Sequence, residues 1–123
     1  RKALGELRAL WVAGNEYLTR AAPWTAIKTA PDRAAAGVRM GLNLVHLFAH
    51  LASPIIPATA RKIHEAIQPA PELIPWPDEP MEKFLDSLEA GQPINAPDVL
   101  FAKITEEQVA EWKARFGGED AKV

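Results

Sequence analysis

No cysteine occurs anywhere in the chain, so its residues can form neither a disulfide framework nor a thiolate metal site. Long apolar runs are missing too. None approaches the ~18 residues that a membrane-crossing helix needs, and the N-terminal stretch is basic and helical in pattern, without a signal-peptide arrangement. Charge of either sign is not in excess, since the formal net charge is -2. Binding to nucleic acid would therefore have to come from a local patch or from base stacking, because no broadly basic surface is available. A glycine-rich phosphate loop and a His/Asp/Ser set are absent as well, and no residue of the chain is expected to be catalytic. Together these absences imply a soluble, cytoplasmic protein with no membrane partner.

What is present is an ordinary globular composition, 48% hydrophobic and 24% charged over 123 residues, enough for one packed core. The chain opens at Arg1 without a methionine and enters a helical pattern with no capping residue, which reads as a cut. Leu4, Leu7, Trp11 and Leu18 share one stripe at helical spacing, flanked by Leu10 and Tyr17. Gly14 falls on that stripe, where it weakens the helix by ~1 kcal/mol relative to alanine but lets a neighbouring helix come close. The helix is expected to end at residues 21–22, because Pro23 disfavours helical geometry before it, and residues 25–29 can add a short turn. A second helix begins at Pro31 and Asp32. From Val38 to Leu51 it is apolar on most of its circumference and should be central and buried.

Residues 58–68 carry Ala60, Ile63, Ala66 and Ile67 as a third, shorter amphipathic helix, with Arg61, Lys62 and Glu65 turned outward. Prolines at 69, 71, 75, 77 and 80 make the next segment an extended connection. Residues 81–88 can form a short helix, Gly91 and Pro93 a turn, and residues 96–104 an extended piece. Thr105 with Gln108 forms a capping-box pattern opening the last helix, whose stripe is Val109, Trp112 and Phe116. The expected fold is an all-α bundle: core helices over 1–69, an extended connection over 70–104, a C-terminal helix over 105–116 and a frayed tail over 117–123.

Three constellations bear on chemistry. Arg39, Asn43, His46 and His50 step by four, three and four, so they share one stripe of the second helix. His46 and His50 have a spacing that suits metal ligation, but the glutamate of the HExxH signature is missing and no third ligand is evident. This stripe therefore reads as a solvated or partner-facing edge, and no metal is expected. Asp78, Glu79, Glu82 and Asp86 lie in the connection and read as solvation rather than acid/base chemistry. Trp24 follows a proline-broken helix end on a fixed backbone. It suits either a core crevice, which residue statistics favour, or a stacking platform for a splayed RNA base, worth ~1–3 kcal/mol.

Ordered blocks turn this reading toward one family. Asn15-Glu16-Tyr17-Leu18, then Ala22-Pro23-Trp24 and Lys28, resembles the N-x-Y-[IL]-x(4)-P-W-x(3)-K stretch of methionyl-tRNA synthetases. Met40-Gly41-Leu42-Asn43-Leu44, Leu51 to Ser53, and Pro54-Ile55-Ile56-Pro57-Ala58-Thr59 resemble that family's central helix and its P-x-x-P-x-T ending. Trp76, Gly91, Ile94 and the run from Pro97 to Lys103 resemble its closing segment, with Ala102 where proline is frequent. The likeness extends over residues 3 to 113.

The resemblance implies an anticodon-binding helical bundle in which Trp24 stacks on an anticodon base. It implies tRNA for methionine as partner, together with the catalytic domain of the same chain. ATP and magnesium, with zinc at a separate knuckle, belong to that catalytic part, as do the HIGH-like and KMSKS-like signatures. Two further anticodon readers of the family, an asparagine and an arginine, precede Arg1. Arg20, Lys28, Arg39 and His46 are candidate contacts to the RNA backbone. Asn15 is expected to fix helix packing. Trp112 and Phe116 are expected to be exposed here and to pack on the catalytic part. Two alternatives stand beside this reading. One is the anticodon domain of another class I synthetase, of the leucine, isoleucine, valine and cysteine group, against which the P-W block and the LFAKI run argue. The other is a helical protein-interaction module that never touches RNA, which the acidic net charge would suit.

Overall fold

A 3.6-residue apolar period dominates the sequence, and in the computed structural model it becomes six helices, with no strand among the described residues, 1–118. They are α1 (Lys2–Ala21), α2 (Pro23–Ala26), α3 (Pro31–Ala52), α4 (Pro57–Ile67), α5 (Met81–Phe84) and α6 (Glu106–Phe116). The all-α expectation holds. Of the expected tail, residues 119–123 lie outside the described residues. No helix among the described residues is long and apolar enough to cross a membrane.

Proline opens α2, α3 and α4 at their first turns, where its missing N–H would have no partner anyway. This was expected at Pro31, whereas the short helix expected over 25–29 starts at Pro23 and the one expected over 58–68 starts at Pro57. Ala22 joins α1 to α2 with φ 40° and ψ 57°, and its N–H donates to the Leu18 carbonyl at 2.9 Å. This left-handed geometry costs a non-glycine residue ~1–2 kcal/mol. It turns the chain sharply enough for Pro23 to be buried while Trp24 projects outward.

α3 is the central element and packs against α1, α2 and α4. Its approach to α1 depends on two glycines. A Cβ on Gly14 would lie 2.9 Å from the Phe48 ring, and one on Gly41 would lie 2.8 Å from Leu18 Cδ2. The close approach expected at Gly14 is therefore present. Leu7, Ala52 and Ala60 form the core between α1, α3 and α4, with Trp11, Leu51, Ile56 and Ile74 packed around them.

The face that α3 buries differs from expectation. Val38 and Val45 are exposed, whereas Asn43, His46 and His50 are buried. The cause is the chain after α4, which folds back over the polar stripe. Arg61 holds its start, donating to the carbonyls of Pro71 at 3.0 Å and Glu72 at 3.3 Å. The Pro75 carbonyl accepts from His50 Nδ1 at 2.7 Å, and the Leu88 N–H donates to Asn43 Oδ1 at 3.1 Å. Farther along, the Asn95 N–H donates to the Ala66 carbonyl at 2.8 Å. The expected solvated edge is thus the seam on which the irregular segment is mounted, and most of its buried polar atoms are paired there, His46 Nδ1 excepted.

α5 covers four residues of the eight expected. α6 begins at the expected capping box, with Thr105 Oγ1 accepting from the Gln108 N–H at 3.3 Å and Gln108 Oε1 accepting from the Thr105 N–H at 3.0 Å. Every residue of α6 is exposed, including Val109, Trp112 and Phe116, so the expected exposure of Trp112 and Phe116 holds.

Candidate nucleic-acid interface

The break between α1 and α2 builds the surface of interest. Pro23 is buried against α3, close to where a Cβ on Gly37 would lie, 3.9 Å away. The next residue has nowhere to go but out: Trp24 is 61% exposed. It stands at the rim of a groove of about 710 Å³ whose wall includes Ile27, Val38, Leu42, Leu88 and Ile94. The indole is therefore not the core residue that statistics favour. Its backbone is fixed by the Thr25 and Ala26 N–H groups donating to Ala22 O at 2.9 and 3.0 Å and by Ile27 N–H donating to Pro23 O at 3.0 Å. A large flat ring on a rigid mount can stack on a base without first losing conformational freedom.

The four candidate backbone contacts separate into two pairs. Arg20, in the last turn of α1, and Lys28, just beyond α2, are exposed on either side of the Trp24 turn in the chain. Arg39 is engaged by its own chain. Its Nη1 pairs with Asp86 Oδ1 at 2.6 Å, Nη2 donates to the Asp86 carbonyl at 3.0 Å and Nε donates to the Leu88 carbonyl at 2.9 Å. With its charge paired and its fork filled, Arg39 fixes Leu88 in the groove wall, a role its helical spacing could not reveal. His46 is buried and its ring faces His50, His64 and Phe84. An RNA backbone cannot reach it, so the expected contact is corrected: the returning segment covers the stripe on which His46 lies. Asn15, expected to fix helix packing, is exposed beside a second groove between α1, α3 and α4.

Sequence reasoning missed His64. It is 2% exposed, and it steps by four from Ala60 and by three to Ile67, both buried. That placement on the apolar stripe of α4 was a signal available in the sequence.

The all-α bundle thus presents an exposed indole on a fixed backbone beside an apolar groove, with Arg20 and Lys28 exposed on either side of it in the chain. The profile of the family described as "Anticodon binding domain of methionyl tRNA ligase" matches residues 1–121. The chain belongs to this family. It is 56% identical over 119 residues to a methionine–tRNA ligase of Caulobacter sp. (strain K31), covering 96% of this chain and 21% of that protein. It is 54% identical over 119 residues to the methionine–tRNA ligase of Maricaulis maris (strain MCS10). It is 46% identical over 118 residues to that of Streptomyces avermitilis, again covering 96% of this chain and 21% of that protein. The chain thus spans about a fifth of the length of the curated relatives it matches.

Proposed function

We propose that this chain is the anticodon-reading part of a methionine–tRNA ligase, and that Trp24 reads by stacking on an anticodon base. The observation that carries the reading is a 61% exposed indole following a buried proline at a helix break. Such a ring loses apolar hydration when a base covers it, and the geometry needs no rearrangement to receive one. Arg20 and Lys28 are the cations placed to meet phosphates on either side.

In this reading the whole enzyme joins methionine to its tRNA in the cytoplasm, using ATP and magnesium in a catalytic domain of the same chain. The exposed stripe of Val109, Trp112 and Phe116 on α6 suits packing on that domain. The chain's own residues supply selection of the tRNA and a mount for the reader.

The test is made in the full-length ligase, comparing aminoacylation of methionine tRNA with methionine-dependent ATP–pyrophosphate exchange. In Trp24→Ala, aminoacylation is expected to fall about 5-fold to 150-fold while exchange persists, as loss of ~1–3 kcal/mol of stacking requires. Unchanged aminoacylation in a folded variant removes Trp24 from anticodon reading and favours a module that binds protein alone.

A further inference from the structure

Three histidines from two helices meet in the interior. His46 and His50 of α3 and His64 of α4 are 4%, 6% and 2% exposed. His46 Nε2 lies 3.3 Å from His64 Nε2 and 3.3 Å from His50 Nε2, and the three ligand nitrogens lie within 4.8 Å of one another. Phe84 packs over the rings of His46 and His50, with centroids 5.2 and 4.9 Å away.

The protons of this cluster can be counted. His50 Nδ1 contacts the Pro75 carbonyl at 2.7 Å and His64 Nδ1 contacts the Gln68 carbonyl at 3.2 Å. A carbonyl oxygen only accepts, so in each ring Nδ1 carries the hydrogen. The Nε2 of each neutral ring is then a bare lone pair aimed at His46 Nε2. His46 has one hydrogen at most to place there, and its Nδ1 is buried without a partner. The Gln68 amide nitrogen also lies 2.9 Å from His46 Nε2, and where it donates there His46 has no hydrogen to offer at all; where it does not, one N–H still cannot satisfy two lone pairs converging from different helices. Imidazole binds a metal in its neutral form, through a ring nitrogen that carries no hydrogen.

We infer that His46, His50 and His64 form a binding site for a divalent transition-metal ion of the zinc class, clamping α3 to α4 and to the returning segment at Pro75. With Zn–N bonds of ~2.0–2.1 Å, two ligands of a tetrahedral ion stand ~3.4 Å apart, and two edges of the cluster already have that length. The widest separation needs to close by at most ~1.4 Å, shared between two rings, to reach the same geometry. His50 and His64 each donate the remote ring hydrogen to a backbone carbonyl, the arrangement that orients ligating imidazoles. The Gln68 amide lies 2.9 Å from His46 Nε2. Turned end for end, it presents its oxygen as the fourth ligand. The site is separate from the zinc knuckle that the family resemblance places in the catalytic part, and it does not rest on the reading of Trp24.

The metal-stripped full-length ligase, titrated with cobalt(II), tests this. The expected result is one equivalent that gives the visible bands of four-coordinate cobalt without thiolate charge transfer, since no cysteine lies in this chain. His64→Ala is expected to lose that equivalent. His64→Cys, which substitutes one good ligand for another, is expected to keep it and to add a thiolate band in the difference spectrum. Cobalt uptake by the wild type confined to thiolate sites overturns the inference. So does a folded His64→Ala that binds as much cobalt as wild type, or a folded His64→Cys with no added band.

Discussion

The Trp24 groove and the histidine seam lie against the same helix and depart from the usual distribution of residues in opposite directions. Around Trp24, apolar side chains that could have been buried are exposed, Ile27 and Val38 among them. Along Asn43, His46 and His50, polar side chains are almost sealed from solvent. Scattered exposed apolar residues are common, but several lining one groove mark a surface that something covers. Most buried polar groups are held by partners, as Asn43 and His50 are here, whereas His46 Nδ1 is not. The first region is an open surface, whereas the second is enclosed within the fold. Substitutions should therefore separate cleanly: the groove should carry function with little stability, and the seam should carry stability.

Acid gives the largest expected effect on stability. Burial and its neighbours hold His46 at about 4 in the folded chain, below its ordinary 6.5. A depressed value means that the stabilisation is complete above pH 6.5 and is lost as the pH falls through 4. The loss reaches about 3 kcal/mol, read as a falling midpoint in denaturant unfolding across that window. Asn43→Leu is next, at about 2 kcal/mol, because it leaves the buried Leu88 N–H without its acceptor. Gly14→Ala follows. Contact with the Phe48 ring costs about 2 kcal/mol and the gain in helix propensity returns about 1, leaving a net loss of about 1 kcal/mol by the same unfolding measurement. Trp24→Ala is the smallest, within about 0.5 kcal/mol of wild type, although its effect on aminoacylation is expected to be large. A large loss of stability there would break the comparison.

Local signals in the sequence located much of this. Pro31 marks the start of α3 because its ring suits a first turn, and Thr105 with Gln108 marks α6 because the capping box is a contact over three residues. Gly14 was legible because it interrupts an apolar stripe at the point of helix contact. The polar stripe of α3 was misread because its partners are far along the chain: Asn43 bonds Leu88, and Arg39 bonds Asp86. No periodicity within a helix encodes a segment that returns some 45 residues later. The histidine cluster stayed hidden for the same reason, since His64 joins His46 only after α4 packs on α3. Trp24 was legible in kind but not in burial. The sequence placed it on a fixed backbone, and the left-handed Ala22 decides that it points outward.

The central claim is that Trp24 touches an anticodon base, and a double-mutant cycle on the full-length ligase tests it most directly. Binding of methionine tRNA is measured for wild type and Trp24→Ala, each with intact tRNA and with an abasic nucleotide placed at each anticodon position in turn. If Trp24 stacks on one base, each single change at that position costs ~1–3 kcal/mol and the two together cost little more than one. Additive losses at every anticodon position would contradict the account.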